Sequence, residues 1–306
     1  MKAATLTRWL AAGACAALLA GCETMSGGGL SGLSSALGGL TGSSGGSTAS
    51  GIQSVVQGAS AAFKDYSPQE ERELGSGFAS VLLGARPLVR SDELQRYVNR
   101  VGLWVAEHAD SRKDGEGKPV AYDWRFGVID SDAVNAYATP GGYVFVTKGL
   151  LRTLRSEAEL AGVLGHEITH VVHGHYLAAV KKGGFAQMAG GIIEARSGNG
   201  ALSGAMISMV RDIYAKGLDQ SDEYDADRYG MLWAARAGYA PSGLVQSLRA
   251  VAGGSAQDAN YQMLLATHPP AQERIARLDP LVTGKFAGIG GASNEGRYRA
   301  VLRTLD

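Results

Sequence analysis

The chain has 306 residues, long enough for one large domain or two small ones with ample core. It carries 29 basic and 29 acidic residues, and no basic stripe stands out, which argues against a nucleic-acid partner. Aromatics are 7%, and 13 of the 44 glycines fall in the first 62 residues, so composition bears on organisation before it bears on chemistry.

Lys2 and Arg8 form a basic start and residues 9–20 a short apolar run, too short to span a bilayer comfortably. The run ends Leu19-Ala20-Gly21-Cys22, which resembles the cleavage box of bacterial lipoproteins. The expectation is a signal peptide over residues 1–21 and a lipid on Cys22. Glu23, in place of Asp, points by the same resemblance to the inner leaflet of the outer membrane, facing the periplasm. Cys15 leaves with the signal segment, so no thiol remains for a disulfide or a thiolate metal site. Residues 26–62 contain no Lys, Arg, Asp or Glu and are dominated by Gly and Ser, which cannot bury enough apolar surface to order themselves. Residues 22–62 therefore read as a flexible tether spanning roughly 35 Å as a coil, with a short helix at Ile52, Val55 and Val56. The folded domain is expected over residues 63–306.

Ser67-Pro68-Gln69-Glu70 predicts a helix start with Pro in the first turn. A second helix is predicted over residues 91–109, its apolar set being Leu94, Val98, Val101, Leu103 and Val105, with His108 a surface or capping group near its end. Tyr122, Trp124, Phe126 and Val128 alternate with polar residues or Gly, a strand signal; residues 134–138 and 143–147 are two more short strands, turned by Pro140-Gly141-Gly142. Helices dominate from Lys148 onward. The predicted class is α+β: a mainly helical body beside a small antiparallel sheet. Residues 185–210 are apolar and Gly-rich but interrupted by Glu194 and Arg196, reading as a movable cover or a membrane-facing hairpin.

His166-Glu167-Ile168-Thr169-His170 decides the chemistry. Ser156 followed by Glu159 is a capping pattern, and Leu160, Val163, Leu164, Ile168 and Val171 or Val172 recur at helical spacing. Residues four apart share a helix face, so His166 and His170 can put two imidazole nitrogens on one ion while Glu167 lies beside it. A third ligand is needed. The position ten residues after His166 is Tyr176, which rules out the metzincin arrangement, and His173 lies about 10 Å along the axis from His166. His173 and His175 read as helix-end groups or as partners of a ligand's far nitrogen. Glu223 and Asp227, four apart in a second helix, offer one carboxylate for zinc and one to accept the ring N–H of a ligating histidine.

With these motifs assembled, the chain resembles the HtpX-like and CAAX-prenyl-protease-like family of gluzincin metallopeptidases, in particular its periplasmic lipoprotein branch, the LoiP and BepA type. The carriers are residues 135–142 (Asn-Ala-Tyr-Ala-Thr-Pro-Gly-Gly), Gly149-Leu150-Leu151, residues 159–167, residues 223–227 and Thr267-His268-Pro269-Pro270 with Glu273-Arg274. The resemblance implies a gluzincin fold and one Zn²⁺ held by His166, His170 and Glu223. Glu167 is then the general base and Asp227 the carboxylate orienting a ligand histidine. It places His268 at the site as an oxyanion donor supported by Arg274 and Asn135, or as a fourth ligand that keeps the enzyme latent; a helix-capping role is the third reading. Residues 134–138 resemble the family's edge strand, on which substrate is added as a strand, so Asn135, Ala136, Gly141 and Gly142 are candidate substrate contacts. The implied substrates are misfolded or stalled envelope polypeptides, with outer-membrane protein assembly machinery as a possible partner. A non-catalytic zinc-containing chaperone for outer-membrane proteins is the competing class, and Glu167 separates the two, because a purely structural site has no use for it. An ester or peptidoglycan hydrolase finds no Gly-x-Ser-x-Gly elbow or zinc-amidase pattern.

Overall fold

The computed structural model describes residues 65–183, 204–255 and 257–305. The signal segment, Cys22, the tether and most of the 185–210 stretch lie outside the described residues. Among the described residues no helix is long and apolar enough to cross a membrane.

Helix α1 (Pro68–Ala85) begins at Ser67, whose hydroxyl accepts from the Glu70 N–H while the Glu70 carboxylate accepts from the Ser67 N–H. Helix α2 (Asp92–Glu107) follows, capped by Ser91. Its buried aliphatic positions, Leu94, Val98, Val101 and Val105, step by four, three and four. Leu103 falls between these steps and is 41% exposed, correcting its place in the apolar set. His108 ends the helix as a cap, its Nδ1 2.8 Å from the Trp104 carbonyl.

Strands β1 (Arg125–Ile129), β2 (Ala136–Ala138) and β3 (Tyr143–Thr147) form one sheet in the order β1-β3-β2. The β2–β3 pair is antiparallel, joined through a 3₁₀ turn at Pro140–Gly142. The β1–β3 pair is parallel, Arg125 opposite Tyr143 and Ile129 opposite Thr147, so the sheet is mixed and not antiparallel as expected. The loop after β1 carries the chain past the central position to the far edge, and the tight Pro-Gly-Gly turn then returns β3 into the middle. Strand β3 therefore runs beside β1 in the same direction. Tyr122 and Trp124 precede the strand and pack ring against ring at 5.0 Å.

Helix α3 (Lys148–Thr153) leaves the sheet directly. Then comes α4 (Glu157–Val172), the most buried helix, with Ser156 accepting from the Glu159 N–H. Its first turn is fixed by the buried Glu157 carboxylate, which accepts from Tyr97, Tyr239, Asn294 and Arg297. The remaining helices are α5 (His175–Lys182), α6 (Gly204–Lys216), α7 (Gln220–Arg236), α8 (Gly243–Ala252), α9 (Gln262–Thr267), α10 (Ala271–Thr283) and α11 (Glu295–Leu302). The core runs through Leu160, Leu164 and Ile168 of α4, Val144 and Val146 of β3, and Trp233 of α7. Helices α4 and α7 cross in backbone contact: a Cβ on Gly165 would lie 2.6 Å from the Gly230 carbonyl oxygen, and one on Gly230 2.5 Å from the His166 nitrogen. Only glycine on both helices permits that approach, which sets the α7 carboxylates beside His166.

Candidate metal and catalytic site

Helix α4 presents His166 and His170 on one face, and α7 presents Glu223 opposite them. The two imidazole Nε2 atoms are 3.0 Å apart, and the Glu223 carboxylate lies 3.6 Å from His166 Nε2 and 3.5 Å from His170 Nε2. All three side chains are buried. The other imidazole nitrogens are already engaged: His166 Nδ1 is 3.0 Å from Asp227 Oδ1, and His170 Nδ1 is 2.9 Å from His175 Nδ1. An Nδ1–H donated to Asp227 leaves the lone pair of His166 on Nε2, aimed at the same point as its neighbours. Glu223 Oε2 and Glu167 Oε2 are buried without a hydrogen-bond partner. Two nitrogen lone pairs and a carboxylate oxygen converging in a buried space form a donor set that fits a tetrahedral cation with one open position.

Burial disfavours charge on the groups that face this point. Burial pushes the carboxyls of Glu167 and Glu223 up to about 8, against the lowering influence of Arg274. Burial also holds the His166 and His170 imidazoles below their ordinary value, in the neutral form a ligand requires. Burial works against the Asp227 carboxylate too, but Arg274 and His166 overcome it and keep its pKa well below the usual range.

Glu167 stands one step round α4, with the Ala138 backbone N–H facing it. Asn135, Ala136, Glu167, His268 and Arg274 line one cavity with His166. His268 caps α9 and reaches the site, its Nε2 3.7 Å from Glu223 Oε2, and burial pulls its pKa down to about 3. Arg274 donates from Nε and Nη2 to Asp227, and Nη2 lies 3.3 Å from His166 Nδ1. The Asn135 Oδ1 accepts the Ala136 N–H. Gly141 and Gly142 are buried away from that lining; a Cβ on Gly141 would lie 2.7 Å from Arg72 Cα, and Gly142 packs on Trp124 and Tyr122. Their place is the junction of α1 with the sheet.

Two further residues adjoin the site, Tyr214, which the sequence reading missed, and His175, which it left open between a helix-end group and a partner of a ligand's far nitrogen. Tyr214 of α6 donates its hydroxyl to the Ala138 carbonyl at 2.6 Å, on the side of β2 that faces away from β3. His175 meets His170 because Gly174, at φ 71°, breaks the helix and turns the chain back. Two histidines flanking a glycine just past a helix were the signal for it.

The sequence profile of Peptidase family M48 matches residues 92–282, which contain every residue of this site. The chain belongs to peptidase family M48. It is similar to the beta-barrel assembly-enhancing protease of Escherichia coli (strain K12), 26% identical over 253 residues that make up 77% of this chain and 48% of the relative. Metalloprotease YcaL of the same strain is 33% identical over 173 residues, 55% of this chain and 65% of that one. The mitochondrial metalloendopeptidase OMA1 of Schizosaccharomyces pombe is 26% identical over 157 residues, 51% of this chain and 46% of the relative. The chain spans about half the length of the beta-barrel assembly-enhancing proteases it matches. Membership of M48, a metallopeptidase family, implies a metal ion, and the convergent His166, His170 and Glu223 are a donor set able to take one.

Proposed function

We propose that this chain is a zinc-dependent endopeptidase of the bacterial envelope, tethered by a lipid on Cys22 and hydrolysing misfolded or stalled envelope polypeptides. The observation that carries the reading is the buried convergence of His166, His170 and Glu223 beside an unpartnered Glu167 oxygen. A purely structural zinc site has no use for an extra carboxylate beside its ligands, whereas hydrolysis needs one next to a position that water can take. Membership of M48 and relatives named as proteases support the same class.

His166, His170 and Glu223 would hold the zinc, which when bound supplies Lewis acidity, making water more acidic and polarising a peptide carbonyl. Glu167 Oε2, ionised when nearby positive charge offsets the burial that raises its pKa, would take the proton of the attacking water and return it to the leaving amine nitrogen. Asp227 keeps the hydrogen of His166 on Nδ1, so that Nε2 faces the site. The outward edge of β2 is suited to receive an extended chain as an added strand, backbone to backbone, which gives affinity without strong sequence preference. That suits unfolded envelope proteins, including those on the way to outer-membrane assembly, in keeping with the name of the relatives that match most of this chain.

The test is cleavage of unfolded casein by the purified protein, with zinc content measured in parallel. The reading expects about one zinc per chain and cleavage that disappears in Glu167→Gln. A parental protein free of zinc and inert on casein would overturn it.

A further inference from the structure

His170 and His175 face each other through their Nδ1 atoms at 2.9 Å, both buried. One nitrogen must donate and the other accept. His170 directs Nε2 at His166 Nε2 and Glu223, so its hydrogen belongs on Nδ1 and His175 Nδ1 is the acceptor. His175 then carries its own hydrogen on Nε2, which faces Asp225 Oδ2 at 3.7 Å. Asp225 is held in turn by His173 Nδ1 and lies 3.6 Å from Arg228.

We propose that His175, backed by Asp225, is a positioning residue that fixes the tautomer and ring orientation of His170 towards the metal. The inference deepens the zinc reading above and rests on it. Helix α7 then presents three carboxylates two residues apart with three separate tasks. Glu223 faces the ion, Asp227 directly orients His166, and Asp225 orients His170 through an intervening imidazole. The arrangement follows from the geometry of α4. His166 lies alongside α7, while His170 sits a turn later near the end of α4, where the Gly174 break brings His175 between it and Asp225.

His173, His175 and Asp225 are also close enough to form a second cation site. Binding there through His175 Nε2 would move the hydrogen of His175 to Nδ1, against the His170 Nδ1–H. Loading of the first site therefore works against a second ion, and one zinc per chain is expected.

The test measures zinc dissociation constants of the purified protein by competition with a chromophoric chelator, together with the visible spectrum of the cobalt(II)-substituted form. His175→Ala is expected to bind zinc about 10- to 100-fold more weakly and to shift the cobalt bands. His175→Asn keeps an acceptor oxygen near the Nδ1 position and is expected to restore most of both. Asp225→Asn is expected to weaken binding by a smaller factor. Should His175→Ala fail to fold, the contrast between His175→Asn and Asp225→Asn carries the test, the former close to the parent and the latter weaker. Parental affinity with an unchanged cobalt spectrum in His175→Ala and Asp225→Asn overturns the inference alone. Two zinc ions per parental chain, one lost in His175→Ala, overturn it in favour of a second metal site. A parent that binds no zinc removes this inference together with the reading beneath it.

Discussion

Arg274 grips Asp227 with two hydrogen bonds, Nε to Oδ2 at 2.9 Å and Nη2 to Oδ1 at 2.6 Å, and the same Oδ1 meets His166 Nδ1 at 3.0 Å. The pair joins α10 to α7 and α7 to the HExxH helix, so one ion pair both staples the fold and orients a candidate ligand. Removing the guanidinium strands a buried carboxylate, for which about 3–5 kcal/mol of stability is the expected cost. Because Asp227 titrates below the ordinary carboxylate range when folded, the pair stabilises above that range and the benefit fades as pH falls through the folded value. Urea unfolding of Arg274→Ala and the parent is expected to differ fully across pH 5–8, with the gap starting to shrink below about pH 4 and closing only in strong acid. A constant gap into strong acid would assign the loss to packing instead.

Glu223 makes metal binding depend on pH. Its carboxyl, raised to about 8 by burial, holds a proton at neutral pH that a cation must displace. His166 and His170 are already neutral there and add no slope. In a Glu167→Gln background, apparent zinc affinity is expected to rise roughly tenfold per pH unit up to about pH 8 and then level off. Glu223→Ala is expected to lose most of the zinc. Full retention at one zinc per chain would move the third ligand to another residue.

The crossing of α4 and α7 gives a prediction of opposite sign to helix propensity. In an open helix, Gly→Ala gains up to about 1 kcal/mol. At Gly230 the new methyl meets the His166 backbone nitrogen, so Gly230→Ala is expected to destabilise by about 1–3 kcal/mol and to weaken zinc binding by moving Glu223 and Asp227 away from His166. Thermal unfolding with a metal titration checks both. A stabilised Gly230→Ala would mean the helices part without consequence.

How much of this was legible in the sequence follows from the range of each interaction. The HExxH helix was readable because its cap, its period and its two histidines are all local. The face shared by Glu223 and Asp227 was readable for the same reason, but the division of labour between them depends on how α7 crosses α4. Leu103 could have been excluded by stricter periodicity, since it sits between the four-three-four steps of its neighbours. The parallel pairing of β1 with β3 was not readable. Three strands of five, three and five residues carry no register, and a loop of six residues decides which edge the chain reaches. His175 was open in the sequence as a partner of a ligand's far nitrogen, but which ligand it meets depends on the left-handed Gly174, which leaves no trace in hydrophobic pattern.

Tyr214 occupies the edge on which substrate is proposed to lie. Its hydroxyl takes the Ala138 carbonyl, and its ring packs edge-on against Tyr137 at 5.5 Å. An added strand would displace that hydrogen bond. Tyr214→Phe removes the competitor while keeping the ring, and one such bond is worth about 1 kcal/mol. The variant is expected to lower KM for casein about fivefold with zinc content unchanged. A raised KM would make Tyr214 a substrate contact and not an obstruction.

His268 has two functional readings that give opposite signs. Its Nε2 lies 3.7 Å from Glu223 Oε2, and its ring centroid is 6.2 Å from that of His166, which puts it within reach of the metal position from the α9 side. As an oxyanion donor it would act only in the transition state, so His268→Ala would lower turnover while zinc stays bound. As a fourth ligand it would cover the water position, and the same change would raise basal cleavage. Burial keeps the imidazole neutral, with a pKa down to about 3, and a neutral Nε2 lone pair suits a ligand. Thr267 Oγ1 lies 3.0 Å from His268 Nδ1 and can take the ring hydrogen there, leaving Nε2 free to coordinate. The expected result is therefore increased basal proteolysis and self-cleavage in His268→Ala, measured on casein and by mass spectrometry of the stored protein. Reduced cleavage at unchanged zinc content would reject latency in favour of catalysis. No change in either quantity would return His268 to a helix cap ahead of Pro269.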